Sequence, residues 1–207
     1  MPGIENQKPT AEEKAQVISK ARKLLESVGL DSYSKVDIDK LEQDEVVEQF
    51  WLHTAQYLSG SGNQVDETVE MIEKTFKWRK EFGANEIVKE SLNEKLVNGP
   101  FVMRNEVDKD GYKILVFCLR KHVKVADEVE EMKKVFVSFL EEVRKDNLSQ
   151  RGTIVFDCTS AGLKNVDMDL IKFMINLLDY YPNMLAKILL FDLPWILNPV
   201  LTVVKVR

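Results

Sequence analysis

Thr153-Ile154-Val155-Phe156-Asp157-Cys158 is apolar on both faces, the signature of a strand buried in a parallel sheet with helices above and below. Before it, Val129, Met132, Val135, Phe136, Phe139, Leu140 and Val143 recur at three- and four-residue intervals, which predicts an amphipathic helix. Before that helix, Phe101–Val107 and Tyr112–Leu119 are β-branched and aromatic runs joined by Asp108-Lys109-Asp110-Gly111, a hairpin signal. After the central strand, a helix is expected from about Asp167 to Tyr181, then a strand over Lys187–Leu193. The order strand, helix, strand, helix, strand predicts parallel pairing with right-handed crossovers. The fold class is therefore α/β: a helical N-terminal lobe followed by a mixed, mainly parallel sheet flanked by helices.

The first part of the chain is helical. Thr10 and Glu13 make a capping box, Val17, Ile18, Ala21, Leu24, Leu25 and Val28 follow at helical spacing, and Gly29 stops the helix. Val47, Phe50, Trp51, Thr54 and Leu58 form a second stripe that ends in the turn Ser59–Asn63. Asp66 is expected to cap a third helix carrying Val69, Ile72, Phe76 and Arg79 on one face. Asn98-Gly99-Pro100 marks the change of texture, so residues 1–95 read as the helical lobe and 96–207 as the α/β lobe.

Composition narrows the function. Of 207 residues, 44% are hydrophobic and 30% charged, enough for a packed core, and the net charge of −5 supplies no basic field for nucleic acid. The acidity is uneven: residues 1–95 hold 13 basic and 19 acidic side chains, the remainder 16 and 15. Met1–Lys8 has no apolar segment of a signal peptide, and Leu193–Val204 is too short, with Pro194 and Pro199 inside it, to span a bilayer. Cys118 and Cys158 sit in apolar runs without metal-ligand spacing and read as reduced thiols of a cytoplasmic protein.

No glycine-rich phosphate loop or nucleophile elbow is present, and the two histidines, His53 and His122, have no Ser or Cys motif to serve. No catalytic residue, metal or cofactor is expected. His122 reads as a solvated strand end. Asp157 and Asp192, each closing a strand, are placed either to meet a ligand hydroxyl or metal or to cap the next helix. Arg120, Lys121 and Lys124 form a basic cluster suited to a lipid phosphate or an anionic membrane surface. The helix holding Leu170, Ile171, Phe173, Met174, Ile175, Leu177 and Leu178 has almost no polar face, and Ile196–Val204 adds more apolar surface. Such surface meets protein, a bound apolar molecule or a membrane. A dozen methylenes buried at about 0.8 kcal/mol each would provide roughly 10 kcal/mol, enough to lift a lipid from a bilayer without covalent chemistry.

Several words of the sequence occur together in one known family. Val65–Thr68 opening a helix that ends Trp78-Arg79-Lys80-Glu81-Phe82, then Asp108–Gly111, Ile154–Asp157 with Gly162, Tyr180-Tyr181-Pro182 and Phe191-Asp192-Leu193-Pro194-Trp195 resemble the Sec14-like CRAL-TRIO lipid-binding family across about Val46–Arg207. The resemblance implies a sheet flooring a hydrophobic pocket closed by a gate helix, and non-enzymatic binding or transfer of a lipid between membranes. On that pattern Phe156, Phe173, Leu177, Tyr181, Leu189, Phe191, Leu193, Ile196 and Val200 are the expected lipid contacts. The same pattern leaves an alternative, a scaffold of this fold that has lost its pocket and engages proteins or tethers membranes. Asn183 stands where phosphatidylinositol-transferring members carry Glu, so an inositol headgroup is not the expected cargo. Members continue beyond the position of Arg207, which predicts a C-terminally truncated domain. The members most resembled carry a membrane anchor, implying peripheral membrane contact, at the endoplasmic reticulum when joined to such an anchor.

Overall fold

A computed structural model of the chain describes residues 8–57 and 63–195. The chain divides into two compact units, Met1–Glu86 with Asp179–Met184, and Ile87–Leu178 with Leu185–Arg207.

The first unit is built on helices α1 (Ala11–Val28), α2 (Lys35–Lys40), α3 (Asp44–Tyr57) and α4 (Gln64–Phe82). Thr10 caps α1 reciprocally: its N–H donates to Glu13 Oε2 at 2.7 Å, and its Oγ1 accepts from the Glu13 N–H at 3.2 Å. Val17, Ala21 and Leu25 then bury one stripe of α1 against Val47, Phe50 and Trp51 of α3 and Ile72 and Phe76 of α4. The cap of α4 is Asn63, whose side chain accepts from the Val65 N–H, so the expectation of Asp66 is corrected. Asp66 lies in the first turn and pairs with Lys20 at 2.6 Å. At the other end Gly83, at φ +72°, takes the left-handed conformation that lets its N–H reach back to the last carbonyls. Leu58 and the turn residues Ser59–Gly62 lie outside the described residues.

One buried ion pair locks this unit. Asp37 Oδ1 accepts from Arg79 Nε at 2.9 Å, Arg79 Nη2 donates to Asn85 Oδ1, and Asn85 Nδ2 closes the ring on Asp37 Oδ2. Nearly all of both charged side chains is removed from water, so each depends on the other. The segment Asp179–Met184 adds Tyr180, stacked on Trp78 at 4.6 Å between ring centres, while the Asn183 N–H donates to His53 Nδ1.

In the second unit, α5 (Glu94–Val97) precedes β1 (Phe101–Val107), β2 (Lys113–Cys118), α6 (Val129–Arg144), β3 (Gly152–Asp157), α7 (Met168–Leu177) and β4 (Leu185–Phe191). The sheet order is β1-β2-β3-β4, with β1 antiparallel to β2 and the remaining pairs parallel. Both crossovers step in one direction, so right-handedness puts α6 and α7 on the same face. There Phe136 of α6 packs on Phe101, which stacks on Phe117. The helix α7 is shorter than its apolar run suggested because it stops at Leu177, where the chain turns into the Asp179–Met184 segment.

The hairpin turn is clamped to the sheet. Asp108 accepts from the Tyr112 N–H, from Thr153 Oγ1 of β3 at 2.8 Å and from Lys187 Nζ of β4 at 2.9 Å, and Lys187 also holds Asp110. Burial alone would raise the Asp108 carboxyl, but these hydrogen bonds outweigh it and hold the group well below the usual carboxylate range. No helix among the described residues is long and apolar enough to cross a membrane.

Candidate functional site

The parallel register decides which side chains share a face. Ile154 pairs with Ile188 and Phe156 with Leu190, so these four project toward the crossover helices. Facing them are Phe136 of α6 and Ile171, Met174 and Ile175 of α7. Sheet and helices do not close on one another here. They leave a hollow with about 810 Å³ of space unfilled by atoms, its open mouth included, and every side chain lining it is aliphatic, aromatic or sulfur-bearing. Cys158 forms part of the wall; its thiol lies 3.7 Å from the Phe156 carbonyl, and burial raises it above the ordinary thiol value.

The expected lipid contacts fall in several places. Phe156 and Leu193 stand in the wall of the hollow. Leu177 is fully buried in the core, and Phe173 carries the Lys133 ammonium over its ring at 5.4 Å. Tyr181 belongs to the first unit, edge-on to Trp78 and beneath the Arg79 guanidinium. Leu189 and Phe191 alternate with Ile188 and Leu190 and so occupy the opposite face of β4, where they are 49% and 63% exposed. Ile196 and Val200 lie outside the described residues. The wall residues that sequence reasoning passed over, Phe117, Ile154, Ile188 and Leu190 among them, share the strand parity of Phe156 once the register is known.

The basic cluster is largely engaged. Arg120 Nη1 donates to Asp157 Oδ2 at 3.0 Å, and Lys124 meets Asp169 at 2.6 Å and Asp167 at 3.5 Å. Asp157 is lowered by hydrogen bonds from Thr159 first and by Arg120 second, so this carboxylate orders a turn. Lys121 has no carboxylate in ion-pair range among the described residues.

His122 differs from its expectation as a solvated strand end: it is 4% exposed. The side-chain amide of Asn165 donates to the His122 carbonyl at 2.8 Å and to the Arg120 carbonyl at 3.3 Å, drawing this loop inward. Neither ring nitrogen has a hydrogen-bond partner, and Nε2 stops 3.6 Å from Asp167 Oδ2. Burial lowers its proton affinity more than Asp167 restores it, so the ring is neutral at pH 7. Asp167 is committed elsewhere, since its Oδ1 accepts from the Asp169 and Leu170 N–H groups and caps α7. Among the described residues no cluster of His, Cys, Asp and Glu is arranged to hold a metal.

The unit is thus an α/β sheet with an apolar hollow on its helix-covered face. Residues 96–206, more than half of the chain, match the CRAL/TRIO domain, and the chain belongs to that family, whose members bind and transfer lipids. It is also similar to the phosphatidylinositol transfer protein CSR1 of Eremothecium gossypii, at 29% identity over 129 residues, 60% of this chain. The chain spans 29% of the length of that curated relative.

Proposed function

We propose that the second unit carries a lipid with one acyl or isoprenoid chain laid in the hollow between the sheet and α7, and passes it between membranes without a chemical step. The observation that carries this reading is the unbroken hydrocarbon lining between Phe156, Ile188 and Leu190 on one side and Ile171, Met174 and Ile175 on the other. Water gains no hydrogen bond in such a space, so an apolar occupant has no solvent competitor. Family membership and the lipid-transfer relative support the same class of cargo. Asn183 is turned into the first unit, its side chain donating to Gln49 Oε1, and offers no reason to favour an inositol headgroup. Asn165–Asp169 and Phe191–Trp195 most resemble the lipid-binding domain of motile sperm domain-containing protein 2, and on that resemblance we place the carrier in the cytoplasm, peripheral to the endoplasmic reticulum.

Mass spectrometry of an organic extract of the purified protein tests the reading. A lipid recovered at near-stoichiometric amount is the expected result. An empty extract, together with no uptake of fluorescent phospholipid or fatty acid, refutes it and leaves the scaffold alternative.

A further inference from the structure

His122 borders the hollow at one remove: its ring centre lies 5.9 Å from that of Phe117, a wall residue. The ring also lines a small void of its own with Glu128 and Met132 around the start of α6 and Asp167 and Leu170 around the start of α7. Two connections tie it to the wall. The His122 N–H donates to the Leu119 carbonyl at 3.0 Å, so one tight turn joins the ring to Leu119, which stands in the wall. Asp167, whose Oδ2 lies 3.6 Å from Nε2, follows Val166 and caps the helix that carries Ile171, and both of these are wall residues too.

These surroundings suit only the neutral ring. It is cut off from water, and neither nitrogen has a hydrogen-bond partner among the described residues. A second proton makes both nitrogens donors and adds a charge. Asp167 and Glu128 attract that charge, and Lys124 repels it. Asp167 is already shared, its Oδ1 with two N–H groups of α7 and with Lys124 at 3.5 Å, so Oδ2 can satisfy one of the two ring donors. Of the other charges nearby, Arg120 is turned to Asp157, Asp169 to Lys124, and Lys121 and Lys164 to solvent. Burial therefore opposes the charged ring more than Asp167 favours it, whereas a ring released into water takes the proton freely. Acid favours whichever arrangement frees the ring.

We propose that His122 is an acid-operated latch on the hollow: protonation frees the loop 119–125 from the start of α7, and the hollow opens at the end walled by Leu119, Val166 and Ile171. The strap that yields is Asn165, whose amide holds the Arg120 and His122 carbonyls at 3.3 and 2.8 Å. Cargo held at neutral pH is then released faster in acid. The gain is bounded. A ring that stays neutral when enclosed and titrates near 6.5 when free shifts the opening equilibrium by up to about tenfold from about pH 7.5 to about 5.5. The consequence for cargo rests on the carrier reading, while the motion of the loop does not, so the two fail separately.

Three measurements on the full chain, each at about pH 7.5 and about pH 5.5, test the latch. Hydrogen exchange, corrected for the intrinsic rate at each pH, should show residues 119–125 opening more readily than β3 at neutral pH and gaining up to about tenfold in acid. Labelling of Cys158, a buried thiol in the wall, by dithiodipyridine and located by peptide mapping should rise by a similar factor. It is read as the ratio of wild type to His122→Gln at each pH, so that the thiol's own ionisation cancels. Release of a preloaded fluorescent phosphatidylcholine to cyclodextrin should follow, since that lipid keeps its charge over this range. His122→Gln should abolish the acid gain in exchange and release. If it does not fold, His122→Phe serves, because its ring takes no proton. A loop that exchanges only together with β3, an acid gain retained in the folded variant, faster exchange without faster Cys158 labelling, or release that ignores pH overturns the proposal. Acid-dependent exchange and labelling in protein that never takes up phosphatidylcholine support the latch and refute the carrier reading alone.

Discussion

Plugging the hollow separates a carrier from a merely imperfect core. Ile175 of α7 is half-buried and faces the space opposite Phe156 and Leu190. Ile175→Trp would set an indole where hydrocarbon would lie, displacing about three methylenes at ~0.8 kcal/mol each. The sum, ~2.4 kcal/mol, corresponds to a roughly fiftyfold rise in Kd for a fluorescent fatty acid or phospholipid. Overpacking a closed core costs about 1–3 kcal/mol, but here the ring enters unfilled volume, so urea unfolding of the empty protein should show stability equal to or above wild type. Fluorescence titration gives Kd, and the opposite face of β4 provides the control. Leu189→Ser with Phe191→Ser alters residues already 49% and 63% exposed and should change Kd less than about twofold. A folded Ile175→Trp protein that binds as tightly as wild type would refute the reasoning. Loss of binding in the Leu189/Phe191 pair, with Ile175→Trp unaffected, would move the ligand to the other face of the sheet.

Three further outcomes come from charges the fold has buried or paired. Arg79→Ala strands the Asp37 carboxylate and should lower unfolding free energy by about 3–5 kcal/mol in urea titrations, whereas replacing both residues by apolar ones should cost less than the single change. Asp108 titrates below its unfolded value, so its contribution is present above about pH 4 and lost as pH falls toward its folded value. Asp108→Asn should therefore be destabilising at pH 7, with the gap to wild type closing on acidification below about pH 4, and a constant gap would contradict this. His122 is likewise lowered, so the folded protein declines a proton that the unfolded chain accepts, and stability falls as pH drops below about 6.5 until the folded value is passed. In an NMR titration its imidazole should titrate below 6.5, and His122→Phe should flatten that part of the pH–stability curve.

Much of the architecture is legible along the chain. The capping box at Thr10, the stripe from Val129 to Val143 and the two-faced apolar run at Thr153–Cys158 depend on neighbours within one or two turns, and local hydrogen bonding and periodicity determine them. The cap of α4 falls on Asn63 and not on the expected Asp66, because the Asn63 side chain accepts from the Val65 N–H while Asp66 lies inside the first turn. His122 reads as exposed because it is set among charged residues, whereas in the fold the distant Asn165 amide grips its carbonyl and its ring lies beside that of Phe117.

The hollow itself cannot be read from residue types. Phe156, Leu189 and Phe191 are equally apolar, yet Phe156 pairs with Leu190, which puts Leu189 and Phe191 across the sheet from it. A sheet alternates faces with every residue, so a slip of one position exchanges wall for exterior, and the irregularity in pairing beside Gly152 and Thr153 sets that phase. Local sequence determined which segments become helix and strand and that their apolar faces must be covered. Tertiary pairing alone decided which of those faces close on each other and which enclose empty space, because register is a property of two strands and is written in neither one.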